Sequence, residues 1–112
     1  SAMDAAAKGI AARIAVEHAK NGEAAYAFCD QPEDVLRKVG TIVAESEKGS
    51  CVLVNGANSV VCASGKGALV GASDLLKQMT AQYGGGGGGN AKLAQGRLAK
   101  KPEFKLTVYH LA

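Results

Sequence analysis

The chain has 112 residues, of which 47% are hydrophobic and 4% aromatic, and its formal net charge is +3. This length suits one domain, and the composition is that of a globular protein with an aliphatic core. No apolar run approaches the roughly 18 residues that a membrane-spanning helix needs, and no stretch has the layout of a secretory signal. We therefore expect a cytoplasmic domain with no membrane partner.

The cysteines and histidines do not form a ligand pattern. Cys29, Cys51 and Cys62 each lie in an apolar run, their number is odd, and no Cys-x-x-Cys spacing occurs. This arrangement predicts buried, reduced thiols. His18 and His110 stand at opposite ends of the chain, so the sequence predicts no metal site.

The positive charge is concentrated near the C-terminus. Residues 1–83 carry eight basic and nine acidic side chains, whereas residues 84–112 carry five basic side chains and one acidic one. Such an asymmetry suits a polyanionic partner, although a solvated charged surface is the commoner explanation.

The first half of the chain predicts a helix, a strand and a second helix. Residues 4–20 are rich in alanine and lack proline, which favours a helix with Ala7, Ile10 and Ile14 on one stripe. Residues 23–30 are typical of a short strand. The second helix is expected to open at Asp30 or Gln31 and to end at Lys48-Gly49, with Pro32 in its first turn. Its predicted inner face comprises Val35, Leu36, Val39, Ile42 and Val43.

The middle of the chain predicts a hairpin and a third helix. The β-branched runs 51–55 and 59–64 are separated by Gly56-Ala57-Asn58, which indicates a turn between antiparallel strands. The third helix is expected over residues 73–83 with Ser73 as its N-cap. Its predicted inner face comprises Leu75, Leu76, Met79 and Tyr83.

Six consecutive glycines follow this helix, and we expect them to form a mobile loop. Residues 91–98 predict a short edge strand, and residues 100–112 fit a helix or a strand equally well. Together the elements predict an α/β (α+β) fold, a small mixed sheet with helices packed on it, preceded by an N-terminal linker helix.

The glycine run does not fit the established nucleotide-binding motifs. A dinucleotide-binding fingerprint needs a strand before the glycines, and here a helix precedes them. A Walker loop fails at Gly65-Lys66, because Gly67 stands where a Ser or Thr would bind magnesium. One interpretation of the glycines is a helix cap followed by a flexible linker. The other is a surface to which a ligand or another backbone segment can come close, whose N–H groups can bind an anion next to the basic residues that follow.

Residues 71–96, "GASDLLKQMTAQYGGGGGGNAKLAQG", resemble the C-terminal glycine-rich domain of alanyl-tRNA synthetase, which is found also with DHH-type phosphoesterases. The shared pattern is an Asp-Leu helix, here Asp74-Leu75, a glycine run, about four variable residues, and Ala94-Gln95. The resemblance covers roughly residues 23–103. The phosphoesterase branch has a histidine where this chain has Asn90, so phosphoesterase function is disfavoured.

The resemblance implies a function and a domain division. Residues 23–112 would form the DHH-associated-type domain, and residues 1–22 a tag remnant and the end of a helical linker. In the family this domain holds the outer corner of tRNA, helps to coordinate aminoacylation with editing, and supports dimerisation. The implied partners are an alanine-accepting tRNA and a second copy of the chain. The segment itself would be non-catalytic and need no cofactor, whereas its parent would ligate alanine to tRNA with ATP and could hold zinc.

We therefore expect RNA contacts from the glycines and from the polar residues that follow them. The predicted nucleic-acid-binding residues are Gly84, Gly85, Gly86, Gly87, Gly88, Gly89, Asn90, Lys92, Gln95, Arg97, Lys100 and Lys101. Two alternatives stay open: an accessory domain of a free-standing hydrolase that edits mischarged alanyl-tRNA, and a pure dimerisation or packing module.

Overall fold

The computed structural model describes the backbone of residues 2–21, 24–47, 49–102 and 107–109, and the side chains of residues 4–13, 24–47 and 49–102. The elements in chain order are α1 (Ala2–Asn21), β1 (Ala25–Cys29), α2 (Glu33–Ala44), β2 (Ser50–Val54), β3 (Ser59–Ser64), α3 (Ala72–Tyr83), β4 (Gly85–Gly89), β5 (Leu93–Leu98) and β6 (Thr107–Tyr109).

The described strands form a single mixed sheet in the order β4-β5-β3-β2-β1-β6. Strand β1 runs parallel to both β2 and β6, whereas the β2–β3, β3–β5 and β4–β5 pairs are antiparallel. The predicted α+β fold with a mixed sheet is therefore confirmed, and the hairpin predicted from the two β-branched runs is the β2–β3 pair.

The two central strands are buried on both faces, because helices cover the sheet on both sides. Along β2, Cys51 and Leu53 belong to the core cluster shared with α1 and α2. Val52 and Val54 belong to the cluster shared with α3. This alternation follows from the two-residue period of a strand, and it explains why the run "CVLV" is apolar throughout.

Helices α1 and α2 form one covering layer. Ala7, Ile10 and Ala11 of α1 are buried in the same cluster as Leu36, Val39 and Val43 of α2, and Ile42 packs partly buried against it. Helix α2 packs closely on the sheet at Gly40, where a Cβ would lie 2.8 Å from Val61 Cγ1 and 2.9 Å from Leu93 Cδ1. The side chain of Ile14, predicted to share the α1 stripe, lies outside the described side chains.

Helix α3 forms the other covering layer, and its start differs from the prediction. The expected inner face is confirmed, since Leu75, Leu76, Met79 and Tyr83 are all buried. Ser73 is not the N-cap: Gly71 occupies that position, and no side chain there makes a capping hydrogen bond. The N–H groups of Ala72 and Ser73 instead donate to the carbonyls of Ala91 and Asn90, at 2.8 and 3.0 Å.

Three further expectations need correction. Helix α2 begins at Glu33 with Pro32 at its N-cap, without the cap predicted from Asp30 or Gln31, and it ends at Ala44, before the predicted end at Lys48-Gly49. Five of the six glycines are not a loop but strand β4. Strand β5 is therefore interior and not the edge strand predicted for residues 91–98. In the ambiguous tail, residues 107–109 form a strand beside β1.

The β2–β3 turn is held by a buried asparagine. Asn55 Oδ1 accepts hydrogen bonds from the N–H groups of Ala57 and Ser59, at 3.1 and 3.0 Å, and its Nδ2 donates to the carbonyl of Gln31 at 2.9 Å. Asn58 completes the turn with a φ of 62°, a left-handed conformation that asparagine tolerates better than most residues. One side chain thus ties the hairpin to the segment before α2.

The three cysteines are buried free thiols, as predicted. Burial raises the pKa of the Cys62 thiol to about 12. Burial, and then the neighbouring Cys62, also raise the pKa of Cys51 far above its usual range. Burial and the Asp30 carboxylate raise the pKa of Cys29. All three therefore stay protonated and unreactive near neutral pH.

Candidate nucleic-acid interface

The glycine run begins as a helix cap and continues as the edge of the sheet. Gly84 ends α3 with a φ of 75°, and its N–H donates to the Thr80 carbonyl at 2.8 Å. The left-handed conformation explains a glycine at this position. Gly85–Gly89 then pair with β5 in the register Gly85 to Leu98 through Gly89 to Ala94.

Alternate glycines of β4 are required by a close approach of two backbones. A Cβ at Gly85 would overlap the carbonyl oxygen of Arg97, and one at Gly87 would overlap that of Gln95. Gly89 has the same problem against Ala94, and Gly96 of β5 meets the Gly86 carbonyl. These contacts leave no room for a side chain, so the β4–β5 pairing itself needs glycine at these positions.

Gly86 and Gly88 stand in a different environment. A Cβ at either position would meet nothing within 4 Å, and neither residue has a positive φ. Their register partners are Arg97 and Gln95, which share their face of the sheet. On this face β4 itself is therefore open and carries no side chain, and the nearest side chains are those of Gln95 and Arg97 on β5.

The peptide groups of β4 alternate between the sheet and its outer edge. Asn90 N–H donates to the Leu93 carbonyl, and Ala99 N–H donates to the Gly84 carbonyl. By the alternation of an antiparallel ladder, Gly86 and Gly88 also direct their N–H and C=O groups toward β5. Gly85, Gly87 and Gly89 direct theirs outward, where the described sheet has no further strand.

The turn after β4 uses its polar groups internally. Asn90 Oδ1 accepts hydrogen bonds from the N–H groups of Lys92 and Leu93, at 2.9 and 3.0 Å. The carbonyls of Asn90 and Ala91 in this turn accept the N–H groups of Ser73 and Ala72 at the start of α3. Those two N–H groups are therefore not available to bind an anion. Asn90 thus has a structural role that accounts for its identity without RNA.

Three of the predicted basic residues lie along the β4–β5 hairpin. Lys92 is exposed in the turn at one end, and Arg97 is exposed on β5 opposite Gly86. Lys100 is exposed at the other end, where its N–H donates to the Tyr83 carbonyl at 3.1 Å. The hairpin therefore has one cationic residue at its turn and two near its open end.

Lys101 lies apart from these three. Its Nζ stands 5.8 Å from the centroid of the Phe28 ring on β1, at the other half of the sheet. This is a cation–π contact. This pairing has no signal in the sequence, since only the fold brings residues so distant along the chain together.

An exposed apolar pair in the loop before α3 was also not predicted from the sequence. Leu69 is 96% exposed and Val70 is 39% exposed. An apolar pair inside a glycine-rich loop was the available signal. Isolated exposed apolar residues are common on protein surfaces, so we assign no role to this pair.

The described part of the chain contains no cluster of three or more His, Cys, Asp or Glu side chains placed to hold a metal ion. Within the same part, every helix is too short or too polar to cross a membrane.

A scan against models of known protein families finds no match, and a search of curated proteins finds none either. Among solved structures, the chain is similar to the C-Ala domain of alanyl-tRNA synthetase from Aquifex aeolicus, with a TM-score of 0.53 and 23% identity. The match covers 64% of this chain and 71% of that one. The two chains therefore share a fold.

Proposed function

We propose that this chain is a tRNA-binding module from the C-terminal region of an alanyl-tRNA synthetase. The observation that carries the proposal is the β4–β5 hairpin, in which the edge strand β4 has no side chains and Lys92, Arg97 and Lys100 lie exposed beside it. The shared fold with an alanyl-tRNA synthetase domain supports the choice of RNA. The parent enzyme would join alanine to its tRNA in the cytoplasm, and this domain would hold the tRNA without taking part in the chemistry.

The geometry favours contact with the RNA backbone and shape over a base-specific code. Residues 84–102 contain four basic side chains and no acidic one. Lysine and arginine contacts to phosphates provide affinity that depends steeply on salt but carry little sequence information. A folded RNA such as tRNA is recognised largely through its shape and its exposed, unpaired elements.

The direct test is a titration of the chain with alanine-accepting tRNA at several salt concentrations. The test variant is Arg97→Glu with Lys100→Glu. The matched control is Lys8→Glu with Arg37→Glu, which makes the same charge change at exposed residues of α1 and α2. We expect the wild type and the control to bind with a steep salt dependence, and the test variant to lose most of its affinity.

Other outcomes would contradict the proposal in identifiable ways. If both variants bind tRNA with equally reduced affinity, binding depends on the net charge of the chain and not on the basic residues of the hairpin. No binding by the wild type at low salt would favour the dimerisation or packing module, which sedimentation of the chain alone would then detect.

A further inference from the structure

The buried side chain that holds the β2–β3 turn belongs to a chemically labile pair. Asn55 is followed by Gly56, and an asparagine loses its side-chain amide most readily before a glycine, because no Cβ shields the next peptide nitrogen. That nitrogen can attack Cγ of the asparagine and close a five-membered succinimide. The turn thus places a reactive sequence where the fold depends on the intact amide.

The packing of the turn explains why both residues of the pair are present. Asn55 is 6% exposed, and its amide is bonded at both ends: Oδ1 accepts from two N–H groups of the turn, and Nδ2 donates to the Gln31 carbonyl. A Cβ at Gly56 would lie 3.3 Å from Asp30 Oδ1, which is closer than most real Cβ contacts. Substituting either residue would therefore disturb the turn.

The same hydrogen bonds hold the Asn55 amide in its unreacted form. Closing the succinimide makes Cγ tetrahedral and expels Nδ2, which lies 2.9 Å from the Gln31 carbonyl. The two bonds to Oδ1, at 3.1 and 3.0 Å, must also give way. Gly56 and Ala57 are exposed, so water reaches the turn once it opens. Such local opening needs less free energy than global unfolding.

We propose that Asn55-Gly56 is a latent deamidation site, protected while the β2–β3 turn is closed and modified when the turn opens. First, the Gly56 nitrogen gives its proton to solvent base and bonds to Cγ, and the Cγ–Nδ2 bond breaks as Nδ2 takes up a proton and leaves as ammonia. Water then adds to the imide and one C–N bond breaks, which gives aspartate or isoaspartate at position 55. Water is the only co-reactant, and the inference does not depend on the proposed function.

The modified chain would not close the turn as before. The Gln31 carbonyl would lose its donor and face a carboxylate oxygen, and the Asp30 carboxylate, which lies against Gly56, would add repulsion between like charges. The turn is also tied to β5, because the Leu98 N–H donates to the Asn58 carbonyl at 2.9 Å. A reversible opening would thereby become a permanent loss of stability.

The test follows deamidation of the chain by peptide mass spectrometry during incubation at mildly alkaline pH, with and without denaturant. Asn21-Gly22, the other Asn-Gly pair of the sequence, is the internal reference in denaturant, where both pairs should react at similar rates. In the folded chain we expect Asn55 to react about tenfold more slowly than in denaturant, or slower still. Tenfold corresponds to an opening free energy of about 1.4 kcal/mol.

Two substitutions at Asn58 form a matched pair that tests whether opening of the turn sets the rate. Asn58 has a φ of 62°, a conformation that glycine adopts freely and a β-branched residue adopts at a cost. Under conditions in which circular dichroism shows a folded chain, Asn58→Val should speed deamidation of Asn55 by about fivefold or more. Asn58→Gly should leave the rate close to that of the wild type.

A third variant tests the consequence of the reaction. Asn55→Asp reproduces one product, so it should lower the thermal midpoint. Asp30→Asn in the same chain should recover part of that loss, because it removes the neighbouring carboxylate.

Several results would overturn the inference. Equal rates at Asn55 in the folded and unfolded chain would mean that the closed turn gives no protection. A faster reaction in the folded chain would mean that the N–H groups on Oδ1 activate the amide, as an oxyanion hole does. Equal rates in the two Asn58 variants would show that the reaction does not pass through an open turn. An unchanged midpoint in Asn55→Asp would show that the turn tolerates the product.

Discussion

The centre of the sheet and its glycine edge reach the same hydrogen-bonded structure by opposite means. Every residue of β2 and β3 is buried, whereas every residue of β4 is exposed. The central strands are held by apolar side chains packed between two helix layers. The edge strand has no side chains, and its pairing depends on how closely its backbone can approach β5. Strands in this molecule are therefore stabilised in two ways, by side-chain packing at the centre and by close backbone approach at the glycine edge, and mutations can disrupt each separately.

The largest effect is expected from the centre of the sheet. Leu53 on β2 is 0% exposed and lies against α1 and α2. We expect Leu53→Ala to lower the free energy of unfolding by about 2–5 kcal/mol, because it leaves a cavity in a close-packed region. Denaturant unfolding followed by circular dichroism would measure this. A loss below about 1 kcal/mol would mean that the centre is less tightly packed than described.

A smaller but more diagnostic effect is expected at the edge. Gly87→Ala and Gly96→Ala each force a methyl group into the backbone of the paired strand. We expect each to lower the free energy of unfolding by about 1–3 kcal/mol, the range for overpacking. The matched control is Gly88→Ala, one residue along the same strand, which should change stability by less than about 0.5 kcal/mol. Equal effects at positions 87 and 88 would show that β4 and β5 are not paired as described.

The hairpin turn lies between these two regions, and its buried asparagine offers a third test. Asn55→Ala removes the acceptor for two buried or half-buried N–H groups. We expect a loss of about 1–3 kcal/mol in unfolding free energy, the cost of leaving such donors unsatisfied. Ser73→Ala is a useful companion, since its side chain makes no capping bond and the change should be nearly neutral. A comparable loss of stability in Ser73→Ala would indicate that Ser73 does cap α3, as the sequence predicted.

The last effect is absent near neutral pH, because it needs the thiols of the central strands to ionise. Because the pKa of Cys62 is raised to about 12 in the folded chain, the folded state holds its proton where the unfolded state has lost it. Stability from this thiol is complete below the unfolded pKa near 8.5 and falls as pH rises from there toward about 12. Denaturant midpoints measured between pH 8 and 10.5 should therefore decline. The decline should be shallower in Cys62→Ala, and an equal decline in both proteins would assign it to other groups.

The parts of the fold that the sequence predicted are those in which side chains carry the signal. The inner face of α3 repeats at helical spacing, and the β2–β3 hairpin shows β-branched runs around a turn with Asn58. The glycine strand could not be predicted this way, because glycine has neither a side-chain pattern nor a strand preference. Its pairing with β5 also needs Gly96, which lies against Gly86 in the fold. Nothing in the sequence around Gly96 indicates this contact. Because β4 was not predicted as a strand, β5 was expected at the edge of the sheet, whereas it lies between β4 and β3.

The candidate site was predicted in composition but not in arrangement. The glycines and the basic residues after them are evident in the sequence, and the fold places Lys92, Arg97 and Lys100 along one hairpin. The sequence could not show that Lys101 contacts Phe28 on β1 or that Asn90 serves the turn. Nor could it separate Gly86 and Gly88 from their neighbours, since identical residues differ only in which face of the sheet they occupy.

The most direct test of the account is a ¹⁵N–¹H correlation spectrum of the chain, recorded during titration with alanine-accepting tRNA. The central claim is that the glycine edge is the RNA-binding surface. It predicts that the largest signal changes fall on residues 84–101, with Gly86, Gly88 and Arg97 among the strongest, while α1 and α2 change little. Changes concentrated on α1 and α2, or spread evenly over the chain, would contradict it.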